Sequence, residues 1–395
     1  MRRYIAVVVC LFACCPMFAR VKTGLEVLIE QGFAPLQGKR VGVVTAQTGI
    51  TEDRRRIIDV LAQAPGVKLT AIFAPEHGLK GTRDDRNIED SIDEATGVPV
   101  YSLYNEGRYR PTPEMLQDVD ALVFDIQQNG ARFLTRITTL GYTMEAAAQK
   151  GIPYYVLDRP NGINGVDVAG PLLDDRYVSF AGYARIPVRH GMTAGELALL
   201  YNGEKKLGAD LHVIRMEGWK RSMWYDETGL EWVNPSPNIR NLTQAMLYPG
   251  VCLLESKQLS VGRGTEMPFQ LVGAPWFKAR EMAEYLNERV PGVRFVPRRF
   301  RPDASVYKDQ ECEGLEIVLV NREPFESVLL GMELLSATLK FHPGQFDLGG
   351  VMRLLGSDEA AARLKRGETG RQVLDGMRGQ LQEFLKIRAK YLLYN

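Results

Sequence analysis

The residues with the most chemical capability in this 395-residue chain are carboxylates, amides and arginines that follow apolar, β-rich runs. They are, in chain order, Glu76, His77, Asp125, Asp158, Arg159 and Asn161. Ligands of open α/β sheets bind beyond the carboxyl ends of the strands, so these side chains are predicted to meet at one sheet edge. Carboxylates with neighbouring amides suit glycoside hydrolysis, in which one acid protonates the leaving oxygen.

Arginines near these positions suit a substrate that carries a carboxylate of its own, because the guanidinium fork binds a carboxylate through two parallel hydrogen bonds. The candidates are Arg132, Arg159 and Arg189. In the separate glycine-flanked segment 260–266 (SVGRGTE), Arg263 could project into a site. For each arginine taken alone, a structural salt bridge is the simpler interpretation. For the glycine-flanked segment, the alternative interpretation is a tight turn. The joint placement of the three arginines favours a substrate site.

Other chemistries lack their sequence motifs. No G-x-G-x-x-G follows the first predicted strand, no G-x-S-x-G nucleophile elbow occurs, and 32–40 has the wrong spacing for a phosphate loop. The four histidines have no metal-ligand spacing, so neither a metal nor another cofactor is expected. Cys252 and Cys312 are predicted to be buried thiols rather than a disulfide. The balance of 49 basic and 48 acidic residues indicates no nucleic-acid partner.

Helical and strand patterns alternate from about residue 23 to residue 216, which predicts an α/β fold with a parallel sheet covered on both faces. Strands are predicted over 40–45, 67–73, 98–104, 121–126, 152–157 and 211–216. Helices are predicted over 24–31, 53–62, 132–150 and 193–201, and a further helix from Thr112 with Pro113 in its first turn. Thr193 and Glu196 form a capping box, which gives Glu196 a structural role.

The pattern changes after about residue 240, where a stretch rich in glycine and proline precedes mixed helices and short strands. Helices are predicted over 279–289, 324–340 and 371–394, and a strand over 314–320. The chain is therefore interpreted as a parallel α/β domain over 20–240 and a smaller α+β C-terminal domain over 241–395.

Residues 1–19 have the pattern of a secretory signal peptide. Two arginines precede the apolar run 5–13, which is too short to span a membrane, and Ala19 suits the cleavage site. A secreted or periplasmic protein without a membrane span is expected. A lipobox that ends at Cys14 is the second interpretation, and it would give a lipid-anchored protein.

Nine short motifs run in order through nearly the whole chain. They are QTG (47–49), PEHG (75–78), GVPVYSLY (97–104), FDIQ (124–127), GARF (130–133), DRPN (158–161), RHGMT (189–193), PSPN (235–238) and GRGT (262–265). Together they resemble the exo-β-N-acetylmuramidases of bacterial peptidoglycan recycling, a family formerly described as a domain of unknown function.

The resemblance implies release of β-1,4-linked N-acetylmuramic acid from the non-reducing end of peptidoglycan fragments, without a cofactor. It also implies a Rossmann-like N-terminal domain with the active-site cleft between it and the smaller C-terminal domain. By this similarity Glu76 is the general acid, His77 orients it, and Asp125 is a further catalytic carboxylate. The implied substrate-binding residues are Gln47, Arg132, Asp158, Arg159, Asn161, Arg189, His190, Asn238, Glu255, Arg263 and Thr265.

The chain departs from the family pattern at four places. Ala46 replaces an asparagine, and the segment 255–258 (ESKQ) replaces Glu-Gly-Thr-Asn. Val261 and Gln270 each replace a glutamate. Two carboxylates and an amide are thus missing from the predicted cleft, and a non-catalytic muropeptide-binding protein on the same scaffold is the alternative interpretation.

Overall fold

A computed structural model describes residues 20–83 and 87–395 of the chain. The predicted signal peptide, 1–19, and the candidate lipidation site Cys14 lie outside these residues. Within them, no helix has both the length and the apolar character needed to cross a membrane.

Twelve strands and eleven α-helices form in the described residues. The strands are β1 (Arg40–Thr45), β2 (Lys68–Ala74), β3 (Ser91–Ile92), β4 (Pro99–Ser102), β5 (Ala121–Asp125), β6 (Tyr154–Leu157), β7 (Ala169–Leu172), β8 (Pro187–Arg189), β9 (Leu211–Ile214), β10 (Leu271–Ala274), β11 (Val293–Phe300) and β12 (Cys312–Leu319). The helices are α1 (Gly24–Glu30), α2 (Ile57–Ala62), α3 (Arg136–Lys150), α4 (Ala194–Glu204), α5 (Leu242–Val251), α6 (Ala279–Asn287), α7 (Ser327–Phe341), α8 (Met352–Leu355), α9 (Asp358–Lys365), α10 (Gly370–Gly376) and α11 (Arg378–Arg388).

Seven strands form the main sheet in the order β3-β4-β2-β1-β5-β6-β9. Neighbouring strands run parallel except β3, which pairs antiparallel with β4 at one edge. Parallel strands need crossover connections, and these place helices on both faces. Val41 and Val43 of β1 pack into one apolar core with α1 and α2, whereas Val44 packs into a second core with α3 and α4. The predicted parallel α/β fold is confirmed.

The C-terminal part contains the antiparallel sheet β10-β12-β11 and the helices from α5 onward. α5 and α7 cross at glycines. A Cβ atom on Gly250 would lie 2.0 Å from the carbonyl oxygen of Ser327, and one on Gly331 would lie 2.4 Å from that of Gly250. Only glycine permits such a close approach of two backbones. α5 continues through a short turn to Glu255, so this crossing fixes one wall of the cleft described below.

The helix predicted to begin at Thr112 is absent from the described structure, and residues 113–118 form turns instead. The hydroxyl of Thr112 does accept a hydrogen bond from the backbone N–H of Met115 at 3.4 Å, as a helix cap would. The chain then enters β5 at Ala121, which leaves too few residues for a helix to propagate beyond its costly first turn.

The other predicted helices form, with differences at their ends. α2 and α3 begin about one turn later than predicted, because the residues before them fold into turns. The helix predicted over 371–394 is divided at Met377 into α10 and α11. Gly376, directly before the break, has low helix propensity and packs against the guanidinium of Arg363.

Asp125, at the end of β5, is fully buried and forms a two-point ion pair with Arg159. Nη2 of Arg159 lies 2.9 Å from Oδ2 of Asp125, and it also donates to the carbonyl oxygen of Ile50 at 3.1 Å. This pair lies where the strand order reverses between β1 and β5, the position at which open α/β sheets commonly bind ligands. Here that position is held by an internal ion pair.

We expect Asp125→Ala to lower the free energy of unfolding by about 3–5 kcal/mol, because the guanidinium of Arg159 would stay buried without its counter-charge. Urea denaturation at neutral pH measures the change. Asp118→Ala is the control, since Asp118 pairs with Arg40 on the surface and its loss is expected to cost less than about 1 kcal/mol. Equal losses in the two variants would contradict a stabilising role for the buried pair.

Candidate active site

A cleft lies beyond the carboxyl end of β2, between the segment that follows this strand and the C-terminal part. It comprises two cavities, of about 290 Å³ and about 800 Å³, and both volumes are of the size that small-ligand sites have. The residues that line both cavities are Glu76, Phe133, Thr135, Tyr248, Glu255, Arg263 and Ser305. The two cavities therefore share a wall that includes both Glu76 and Glu255.

Glu76 is half-buried, and hydrogen bonds hold both its carboxylate and its backbone. Oε2 of its carboxylate accepts a hydrogen bond from the hydroxyl of Thr135 at 2.6 Å. Its backbone carbonyl accepts from Nη1 of Arg136 at 2.8 Å, while Nη2 of Arg136 donates to the carbonyl oxygen of Pro235 at 3.1 Å. Arg136 thereby fastens the Glu76 loop to the segment 235–236, which also lines the smaller cavity.

Tyr104 and Arg136 set the electrostatic surroundings of Glu76. Burial, and then the negative charge of Glu76, raise the pKa of Tyr104 to about 12, so its hydroxyl keeps its proton at neutral pH. Burial lowers the pKa of Arg136 to about 10, and the charge of Glu76 acts in the opposite direction. Arg136 is thus still a cation at neutral pH, directly behind the Glu76 loop.

His77 has a backbone φ of 71°, in the left-handed region that residues other than glycine seldom adopt. Its Nδ1 lies 2.7 Å from the carbonyl oxygen of Arg83, so in the neutral imidazole Nδ1 carries the proton. Its Nε2 lies 3.5 Å from the hydroxyl oxygen of Ser236, and both residues line the smaller cavity. A strained backbone next to a candidate acid is typical of functional sites.

Glu255 and Arg263 form an ion pair in the wall that the two cavities share. Nε of Arg263 lies 2.9 Å from Oε1 of Glu255, and Nη2 lies 3.2 Å from Oε2. The thiol of Cys252 also donates to Oε2 at 3.3 Å, and the guanidinium carbon of Arg263 lies 5.1 Å from the ring centre of Phe269. Among the described residues, Glu76 and Glu255 are the two carboxylates that line the smaller cavity.

Arg132 lies outside the cleft. Its guanidinium is fully buried and donates to four backbone carbonyl oxygens, at distances from 2.7 to 3.1 Å. These carbonyl groups belong to Pro171, Ile186, Leu354 and Leu355. Burial lowers the pKa of Arg132 to about 9. The predicted carboxylate-binding residue is therefore engaged with the backbone.

Asp158 is also buried away from the cleft. Its carboxylate accepts hydrogen bonds from the hydroxyl of Thr193 at 2.7 Å, the backbone N–H of Gly195 at 2.8 Å and the hydroxyl of Tyr394 at 2.6 Å. Burial outweighs these contacts and raises the pKa of Asp158 to about 6. Asp158 thus stabilises the start of α4, where the predicted Thr193–Glu196 capping box is confirmed.

Three predicted residues of 161–190 have internal partners as well. Nδ2 of Asn161 donates to the carbonyl oxygen of Met192 at 3.0 Å. Nη2 of Arg189 lies 3.0 Å from Oδ2 of Asp167, and burial lowers the pKa of Arg189 to about 10. His190 is completely buried, and its Nδ1 accepts from the backbone N–H of Met192 at 3.1 Å.

The last three predicted residues do not line the two cavities of the cleft. Gln47 lies in a separate cavity of about 600 Å³, where its Nε2 donates to the carbonyl oxygen of Asn234 at 2.7 Å. Asn238 is nearly buried in the turn after Ser236. The hydroxyl of Thr265 closes a local turn by donating to the carbonyl oxygen of Gly262 at 2.7 Å.

The sequence reasoning missed three residues that surround Glu76, namely Tyr104, Thr135 and Arg136. Thr135 and Arg136 fall within a stretch predicted to be helical throughout, where polar residues are ordinary. The available signal is their position at the start of α3, because the first turn of a helix that follows a parallel strand lies at the ligand-binding edge of the sheet.

The departures from the family pattern have distinct surroundings. Ala46 and Val261 are buried, and Val261 lines the larger cavity. Oε1 of Gln270 accepts a hydrogen bond from Nε2 of Gln244 at 3.3 Å. Lys257 lines the larger cavity and is exposed to it.

Histidine, cysteine and carboxylate side chains do not gather in groups of three or more that suit a metal ion anywhere in 20–83 or 87–395. Cys252 and Cys312 are buried free thiols, as predicted. The smaller, polar cavity lies at the carboxyl edge of a parallel sheet, and two glutamates face it. A pair of carboxylates in one cavity is typical of glycoside hydrolases.

Comparison with known proteins identifies the family. Residues 41–243 match the N-terminal model, and residues 246–394 the C-terminal model, of the exo-β-N-acetylmuramidase NamZ. The chain is 41% identical over 380 residues to the peptidoglycan β-N-acetylmuramidase NamZ of Bacillus subtilis strain 168. The alignment covers 95% of this chain and 92% of that protein. The chain therefore belongs to the NamZ exo-β-N-acetylmuramidase family, and the resemblance seen in the motifs is confirmed.

Two crystal structures of DUF1343 family proteins from Bacteroides fragilis NCTC 9343 have the same fold. One superposes with a TM-score of 0.88 at 39% sequence identity, and the other with a TM-score of 0.79 at 29% identity. Each comparison covers 95% of this chain and 99% of the other chain.

The protonation of His190 gives a prediction for stability. Burial, and then the positive charges of Arg388 and Arg189, lower the pKa of His190 to about 3, whereas an unfolded histidine titrates near pH 6.5. The contribution of neutral, buried His190 to the free energy of unfolding is therefore fully present above about pH 6.5 and is lost as the pH falls below this value. We expect the unfolding free energy of the wild type to drop by about 2 kcal/mol more than that of His190→Asn between about pH 7.5 and 5.

Urea denaturation of both proteins at the two pH values measures this difference. The pH dependence caused by all other groups, including the buried Asp158, is common to both proteins and is removed when the two are compared. Parallel losses in the wild type and in His190→Asn would contradict the prediction.

Proposed function

We propose that this protein hydrolyses the β-1,4 bond that links a non-reducing terminal N-acetylmuramic acid to the rest of a peptidoglycan fragment. The observation that carries the proposal is the joint position of Glu76 and Glu255 on the walls of one polar cavity, in a chain of the NamZ family. The Bacillus subtilis relative is a peptidoglycan β-N-acetylmuramidase, which supports the same substrate class for this chain.

In the proposed reaction Glu76 is the general acid. Its carboxyl group gives a proton to the glycosidic oxygen as the bond to the anomeric carbon breaks. Thr135 fixes the orientation of the carboxyl group, and Arg136 fixes the backbone that carries it. Water supplies the hydroxyl group of the released sugar, and the second proton of that water restores the acid form of Glu76.

Glu255 is the proposed second carboxylate. Positive charge develops at the anomeric carbon in the oxocarbenium-like transition state, and a carboxylate held in a fixed position beside it stabilises such charge. The ion pair with Arg263 and the contact with Cys252 hold Glu255 in one orientation. His77 is proposed to hold the loop through Arg83 and to present Nε2 to the sugar.

The sizes of the cavities support exo-acting cleavage. Glu76 lies in the wall that they share, and the smaller cavity of about 290 Å³ suits a single sugar unit. The larger cavity of about 800 Å³ has room for the remainder of the fragment. A bond placed at Glu76 would therefore release one terminal sugar.

We also propose that the protein is exported, because residues 1–19 have the pattern of a signal peptide and peptidoglycan lies outside the cytoplasmic membrane. Export by this signal would make the protein secreted or periplasmic. Sequencing the amino terminus of the mature protein from the producing cell tests this, since a start at Arg20 supports cleavage after Ala19 and a lipidated Cys14 contradicts it.

Glu76→Gln is expected to lower the rate of N-acetylmuramic acid release at least about a hundredfold, because glutamine cannot supply the proton. Mass spectrometry detects the free sugar after incubation with a disaccharide that carries N-acetylmuramic acid at its non-reducing end. Glu266→Gln is the matched control, since Glu266 is 97% exposed, and it should keep the wild-type rate. If the wild type bound the disaccharide without releasing the sugar, the protein would be a muropeptide-binding protein.

Glu255→Gln is expected to lower kcat about tenfold or more, with a smaller change in KM, because the carboxylate acts on charge that develops only in the transition state. Arg263→Met, which removes the partner and keeps the carboxylate, separates this effect from loss of the ion pair. A kcat unchanged by Glu255→Gln would exclude Glu255 from the chemistry.

A further inference from the structure

The larger cavity has two cations that the proposed hydrolysis does not use. Lys257 lies two residues beyond Glu255, and Arg353 belongs to α8; both line this cavity. Within the described residues neither side chain forms an ion pair or a hydrogen bond. Arg263 differs from them, because its charge is matched by Glu255.

Two chain segments that pack against each other present these cations. Nε2 of Gln258 donates to Oδ2 of Asp347 at 2.8 Å, which links the Lys257 segment to the segment before α8. A Cβ atom on Gly350 would lie 3.0 Å from the Cβ atom of Ser256, so the backbone at Gly350 packs closely against the side chain of Ser256. Lys257 and Arg353 therefore lie on adjoining walls of one cavity.

The carboxylates of the same cavity all have partners in the structure. Glu76 accepts from Thr135, and Glu255 pairs with Arg263. Asp347 accepts a hydrogen bond from Gln258 and another from the backbone N–H of Gly349 at 2.6 Å, and these two bonds, chiefly the one from Gln258, lower the pKa of Asp347. A ligand that enters the cavity meets Lys257 and Arg353 as cations whose charge no carboxylate of the described residues pairs with.

We propose that Lys257 and Arg353 form a subsite for a carboxylate that the substrate carries in addition to the lactyl group of the sugar at Glu76. This inference rests on the proposed hydrolysis and specifies its substrates. The additional carboxylate has two sources, a peptide attached to the released sugar and a muramic acid further along the glycan. Guanidinium and ammonium groups recognise both through charge-assisted hydrogen bonds.

The test compares the wild type with Lys257→Met/Arg353→Met on three substrates. These are the plain disaccharide, the same disaccharide with a dipeptide that ends in glutamate on its lactyl group, and a tetrasaccharide with a second muramic acid. We expect kcat/KM of the variant to fall about tenfold for a substrate with the additional carboxylate and less than about twofold for the plain disaccharide. The substrate that responds identifies the source of the carboxylate.

Lys386→Met/Arg294→Met is the matched control, because both residues are exposed outside the cleft and the charge change is the same. Equal losses on all three substrates, or no loss on any, would overturn the subsite. If the wild type released no sugar at all, the proposed hydrolysis would fail by itself. The subsite would then be tested by calorimetric measurement of how tightly each variant binds the dipeptide-bearing disaccharide. The subsite predicts weaker binding by Lys257→Met/Arg353→Met than by the control variant.

Discussion

The cleft depends on two buried guanidinium groups, those of Arg132, which lies between β5 and α3, and of Arg136, the first residue of α3. Both donate to uncharged backbone carbonyl groups instead of carboxylates. Burial of a cation is costly unless its hydrogen-bonding groups are satisfied, so these carbonyl groups must be held in place. Arg136 joins the Glu76 loop to Pro235, and Arg132 joins β7 and Ile186, the residue before β8, to the end of α8. The segment 132–136 thus connects the main sheet, the candidate acid Glu76 and the cleft wall formed by α8.

Local patterns predicted the sheet well because its central strands are buried on both faces. Such strands, for example β1 and β5, have continuous apolar sequences rich in strand-forming residues. The same local reasoning was wrong at Thr112, where a cap and a proline are present but the chain turns into β5 before a helix has room to grow. Helix ends were misplaced for a similar reason, since turns such as the one before Arg136 are stabilised by contacts with residues distant in sequence.

The site was predicted less completely than the fold. Glu76, His77, Glu255 and Arg263 do line one cleft, although their roles stay predictions. Asp125, Asp158 and Arg159 follow strands as expected, but their side chains turn inward to partners that lie far away in the chain. Sequence position indicates which residues reach a sheet edge and not whether they face a cavity or a buried partner. Arg136 was missed because its two carbonyl partners, at Glu76 and Pro235, have no side-chain signature.

The crossing of α5 and α7 has a consequence for how this protein varies. Gly250 and Gly331 set the distance between the two helices by contact of main-chain atoms, and this contact places the backbone that leads through a short turn to Glu255. A change of side chain at position 257, 261 or 270 leaves this main-chain contact between the helices intact. A side chain at Gly250 or Gly331 would instead push the two helices apart and displace this wall of the cleft.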